Sequence, residues 1–230
     1  MGYSLGGGIA ADFASWFPGA VEGLVLLAPA GLLRERRVGW WSRAVYGGWL
    51  PEWMVERVVR RRLRGDPSSV PQEGAKVGLV QGAEAEAPDE DQQEAGDVLF
   101  PGRPQFSVAE TATWQVDAHP GFVSSFISSI QNSPIHGQQH RWRIIGSRLD
   151  RQRSNPEDPA LQEEGMKEGK VLLMLGKDDS IIRADEIAMD AAEALGGLNV
   201  KVEVLDGGHD FPIVEAESCA RVIREFWNQN

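Results

Sequence analysis

Gly2-Tyr3-Ser4-Leu5-Gly6-Gly7-Gly8 is a G-x-S-x-G sequence that runs straight into a stretch reading as a helix from about Leu5 to Trp16. A sharp strand-to-helix turn demands this pattern. Small residues two positions either side of the serine relieve crowding in a strained turn and leave the hydroxyl exposed. The N–H of Leu5, together with the helix N-terminus, then points toward a place where negative charge can develop. Taken alone, the motif also fits a plain glycine-rich turn. A phosphate-binding loop does not fit, because no lysine follows Gly6-Gly7-Gly8.

Working outward, Val21–Ala28 reads as a strand, with Val21 and the apolar run Leu24-Val25-Leu26-Leu27-Ala28, ended by Pro29, Ala30 and Gly31. Such a run suits a strand covered on both faces. Lys170–Leu175 reads as a second apolar strand and Val200–Leu205 as a third strand, with an alanine-rich helix over Arg183–Leu195 between them. Glu215–Trp227 closes as a helix, with Cys219, Val222, Ile223, Phe226 and Trp227 at helical spacing. Strands alternating with helices give a parallel sheet of the α/β class.

A serine hydroxyl is a poor nucleophile near neutral pH and needs a base held in place by an acid. His209 stands in Leu205-Asp206-Gly207-Gly208-His209, straight after the third of these strands. A Gly-Gly turn there can swing an imidazole over the carboxyl edge of the sheet. His119, His136 and His140 lack such a setting and read as surface or packing residues. The acid belongs after the second strand, where Asp178 and Asp179 are both candidates.

These three loci, in the order Ser…Asp…His, resemble the α/β-hydrolase superfamily. The resemblance covers residues 2–31 and 170–227. It implies a Ser–Asp–His catalytic set, with Ser4 as nucleophile, His209 as base and the Leu5 N–H in the oxyanion hole. The family's usual Gly-x-x-Asp, matched on Gly176, makes Asp179 the acid and Asp178 a neighbour. Placing the acid after the preceding strand, as some members do, finds no carboxylate here before Glu35. Members with G-x-D-x-G are epoxide hydrolases and haloalkane dehalogenases, so Ser4 points to ester, thioester, amide or C–C bond hydrolysis. The family carries about five strands before the turn, including the one entering it and a loop with a second oxyanion N–H. One residue precedes Gly2 here, so an incomplete α/β-hydrolase fold lacking its N-terminal strands is expected.

On that pattern residues 1–31 and 170–230 form the core, and 32–149 form a mainly helical cap or lid insertion. Residues 150–169 are a polar linker. Within the cap, Leu50–Leu63 sets Leu50, Trp53, Met54 and Val58 on one side and a solvated face of Arg57, Arg60, Arg61 and Arg62 elsewhere. Residues 107–131 and 138–146 read as helical. The stretch 66–96 is rich in Gly, Pro and Gln, and its part Ala83–Ala95 holds six carboxylates and no base. It reads as a disordered insertion. Trp40, Trp41, Trp49, Trp53, Trp114, Trp142, Phe122 and Phe126 either pack between cap helices or line an apolar pocket.

Composition narrows the partners. A net charge of −11 argues against a nucleic-acid binder, whose phosphate contacts need clustered positive charge. No apolar run is long enough for a membrane helix. The single cysteine, Cys219, excludes an intramolecular disulfide and reads as a small buried hydrophobe, which favours a reducing, cytoplasmic setting. The histidines lack paired ligands, so no metal or other cofactor is called for. The expectation is a serine hydrolase of a small, rather apolar ester-like substrate. Its rivals are a non-catalytic fragment of the same fold, and a haloperoxidase-like or C–C-bond hydrolase.

Overall fold

A computed structural model describes residues 1–34, 49–64, 107–162, 165–166 and 170–228. The chain divides into two compact units, one of Met1–Arg34 with Pro134–Asn230, the other of Glu35–Ser133. The acidic stretch of 66–96 and the pair Trp40 and Trp41 lie outside the described residues. No described helix is long and apolar enough to cross a membrane.

The first unit is built on a parallel sheet. Strand β1 (Gly2–Tyr3) leads into helix α1 (Leu5–Trp16), and β2 (Leu24–Leu27) follows a short 3₁₀ turn over Pro18–Ala20. The second unit contributes α2 (Glu52–Leu63), α3 (Val108–Ala118) and α4 (Phe122–Asn132). The chain then returns to the first unit with α5 (Gln139–Ser154), α6 (Pro159–Gln162), β3 (Val171–Gly176) and α7 (Ala184–Leu195). It ends with β4 (Val200–Leu205), α8 (Phe211–Val214) and α9 (Ala216–Asn228).

The sheet runs β1-β2-β3-β4, every neighbouring pair parallel. Leu26 stands beside Gly2 on one side and Leu173 on the other, and Leu173 in turn beside Val202. Every residue of β2 and β3 is buried. Sheets covered on both faces need continuous apolar strands, which is how these two were legible. The strand entering the serine turn, expected to be missing, is present over Gly2–Tyr3, so β2 is flanked on both sides at Leu26 and Leu27.

Helix α5 departs most from the sequence reading, which gave residues 138–149 to the cap and 150–169 to a linker. It belongs to the first unit and runs eight residues past Gly146, to Ser154. Trp142, Ile145, Leu149 and Gln152 are buried along it, a spacing that continues through the supposed linker. Gly146 looks like a helix breaker and is a packing contact. A Cβ there would sit 2.2 Å from the backbone oxygen of Leu195, at the end of α7. Gly146→Ala is therefore expected to destabilise the protein by about 1–3 kcal/mol through overpacking, despite its gain of about 1 kcal/mol in helix propensity. The midpoint of urea unfolding checks this.

In the second unit Val55, Val59, Leu63, Val116, Val123 and Ile127 pack together. This corrects the expected orientation of α2. Trp53 and Met54 face solvent, and Arg62, assigned to the solvated face, is only 3% exposed. Arg60 donates from Nη1 to the Val116 carbonyl at 2.8 Å, while Arg57 stays exposed. Cys219 is buried, as expected, and desolvation pushes its thiol up to about 11, with the Glu215 charge adding to the shift. A thiol so placed stays protonated and inert near neutral pH.

Candidate active site

Ser4 sits between β1 and α1 in a conformation that few residues adopt, with φ 50° and ψ −121°. Strain of this kind persists only where surrounding structure enforces it. Here the Ser4 N–H donates to the Leu27 carbonyl at 2.9 Å. Its carbonyl accepts from Gly7 at 2.9 Å and from Ala30 at 2.8 Å. The backbone is held on three sides while the side chain is left free to point outward.

The glycines divide the work differently from the motif reading. A Cβ on Gly2 would lie 2.3 Å from the Gly6 carbonyl oxygen, so that position must stay bare. Gly6 itself has open space around its missing Cβ. Relief on the helix side falls instead to Gly7, whose Cβ would stand 2.7 Å from Pro29 Cβ, and to Gly8, 3.0 Å from the Pro134 oxygen.

Asp179 follows β3. Gly176 ends that strand because a Cβ there would meet the Gly208 oxygen at 2.5 Å, so the two loops can touch only over a bare backbone. The ladder continues beyond the strands, with Lys177 N–H on Leu205 O at 2.8 Å and Asp178 N–H on Gly207 O at 3.0 Å. Asp178 is exposed, whereas Asp179 is only 4% exposed. Asp179 Oδ1 accepts from the N–H groups of Ile181 and Ile182, both at 2.8 Å. Those bonds fix the carboxylate plane and aim Oδ2 at His209.

His209 follows β4 after Gly207, whose φ of 108° favours glycine. It is 6% exposed. Its Nδ1 lies 2.8 Å from Asp179 Oδ2 and its Nε2 lies 2.9 Å from Ser4 Oγ. A carboxylate can only accept, so the proton belongs on Nδ1. Nε2 is then a bare acceptor facing the serine hydroxyl, the arrangement in which imidazole can take that proton. Leu5 opens α1, and the first N–H groups of a helix have no intrahelical acceptor.

Ser4, Asp179, His209 and Leu5 are thus brought together at the carboxyl ends of β1, β3 and β4, where open parallel sheets place their sites. His119, His136 and His140 are elsewhere: His119 rests edge-on against Trp114, and His136 and His140 are exposed. Tyr3 was missed. Its hydroxyl donates to the His209 carbonyl at 2.8 Å, a link across 206 residues that no local pattern could announce.

No family profile and no curated protein matches this chain. Solved structures do. Esterase E22 matches 98% of the chain over 59% of its own, with 15% identity and a TM-score of 0.50. The fold is that of the α/β-hydrolases. A carboxylesterase from the thaumarchaeon Nitrososphaera gargenis is similar over 99% of the chain and 63% of its own, with 17% identity and TM-score 0.48. A meta-cleavage product hydrolase from Pseudomonas fluorescens IP01 is similar over the same shares, with 18% identity and TM-score 0.40. The chain therefore spans about 60% of the length of these structures, and its α/β-hydrolase fold is incomplete.

Proposed function

We propose that this protein is a serine hydrolase acting on small, rather apolar ester-like substrates through Ser4, His209 and Asp179. The observation that carries the reading is the continuous hydrogen-bonded line from Ser4 Oγ to His209 Nε2 and from Nδ1 to Asp179 Oδ2, at 2.9 and 2.8 Å. Ser4 Oγ attacks the ester carbonyl as its proton passes to Nε2. The oxyanion that forms meets the Leu5 N–H, and a donor in that position is typically worth about 10²–10³ in turnover. His209 returns the proton to the departing alcohol, leaving an acyl group on Ser4. Water, deprotonated by the same Nε2, releases the acid and restores the serine. Asp179 holds the imidazole in the required tautomer and stabilises it when charged.

The second unit, Glu35–Ser133, would serve as the cap. A fluorophosphonate, which phosphonylates only activated serines, tests the reading. Wild-type protein should be labelled at Ser4, and Ser4→Ala should not be labelled at all. Labelling that survives the substitution would remove Ser4 from the chemistry.

A further inference from the structure

We propose that Tyr3 is a positioning residue for His209, fixing the backbone of the histidine loop with its hydroxyl and flanking the imidazole with its ring. The inference rests on the serine-hydrolase reading above and adds a fourth side chain to that site. His209 enters from Gly207-Gly208, two residues with no side chains to pack. Gly207 holds φ 108°, and a Cβ on Gly208 would meet nothing nearer than Asp210 Oδ1 at 3.5 Å. Such a segment does not fix its own direction. The imidazole is held at both nitrogens, by Asp179 Oδ2 and Ser4 Oγ, and Asp178 N–H holds the Gly207 carbonyl, but none of these bonds reaches the His209 backbone itself.

Tyr3 supplies what is lacking. Its backbone is anchored in the sheet opposite Leu27, and its hydroxyl reaches the carbonyl of His209 itself at 2.8 Å. Tyr3 is also the residue bonded to Ser4. One peptide unit and one hydrogen bond therefore tie the nucleophile to the backbone of its base, so the two move together. The ring contributes separately. Its centroid lies 5.3 Å from that of the imidazole, with the planes 35° apart. An aromatic face at that range attracts a cation, and His209 becomes one whenever it takes the serine proton.

Tyr3→Phe removes the hydroxyl and keeps the ring. It is expected to lower kcat for p-nitrophenyl butyrate by about three- to tenfold, the worth of one hydrogen bond, with KM and melting temperature held. The low-field proton resonance of the His209 Nδ1–H should broaden in the same variant. Tyr3→Leu, which removes the ring as well, should lose more. Adding Gly208→Ala, which stiffens the turn without a clash, should recover part of the kcat lost in Tyr3→Phe. Wild-type kcat together with a sharp, unshifted resonance in Tyr3→Phe would overturn the proposal. So would a loss of kcat that merely follows a fall in melting temperature. The resonance needs no turnover, so it decides the role of Tyr3 even if Ser4→Ala shows the hydrolase reading to be mistaken.

Discussion

Ser4→Ala is expected to lower turnover of p-nitrophenyl butyrate by on the order of 10⁶, the loss typical when a complete nucleophile–base pair loses its nucleophile. The size of the effect follows from the geometry. With Oγ gone, His209 Nε2 has nothing to deprotonate at 2.9 Å, and no covalent route remains. Binding is a different matter. The substitution removes one oxygen from a part-buried position, so KM and the unfolding midpoint should stay close to wild type. Turnover that fell only a few-fold would mean hydrolysis proceeds by water alone, with the serine a bystander.

The second large effect separates neighbouring carboxylates. Asp179→Asn should cost about 10⁴ in kcat, because an amide in that place favours the wrong imidazole tautomer and no longer stabilises its charged form. Asp178→Asn should leave kcat within a factor of about two to three, as for an ordinary surface substitution. The contrast rests on surroundings rather than on residue type. Asp179 is buried and accepts from Ile181, Ile182 and His209, whereas Asp178 is exposed and enters the ladder through its backbone N–H alone. A large loss in Asp178→Asn with a mild one in Asp179→Asn would displace the acid by one position. The ratio of kcat between the two variants is the measurement.

The same pair marks how far the sequence could be read. From the residues alone both aspartates remained candidates, and only the resemblance of Gly176 to the Gly-x-x-Asp glycine chose between them. The physical reason for that glycine, the approach of the Gly208 oxygen, involves a residue 32 positions away and has no local signature. Strands β2 and β3 were legible because burial on both faces writes itself as an unbroken apolar run. Helix α5 was cut short for the opposite reason, since a glycine and a run of polar residues read as an ending. Only the partner helix shows that Gly146 is a contact, and only the carbonyls of Leu161 and Gly165, to which Gln152 donates, show why Gln152 is interior. In α2 the tryptophan and methionine drew the apolar face to the wrong side, because amphipathic reading weighs residue size while packing in the second unit selects Val55 and Val59. Tyr3 stood inside the motif without being read, since a phenol whose acceptor is a distant backbone carbonyl looks like any other aromatic.

The spacing of the site along the chain bears on how it assembles. Asp179 and His209 are 30 residues apart, whereas Ser4 and His209 are 205 apart. Loop-closure entropy rises with the logarithm of the intervening length, so joining the serine costs about 2 kcal/mol more than joining acid to base. Against that cost, β1 is tied to its neighbour through two residue pairs, while β3 and β4 share six. The acid and base thus form one cooperative unit, and the nucleophile is held by the weaker seam. Local opening at that seam separates serine from histidine while most of the sheet is intact. On the proposed reading, activity is therefore expected to be lost at a lower urea concentration than helix and sheet, and to return on dilution.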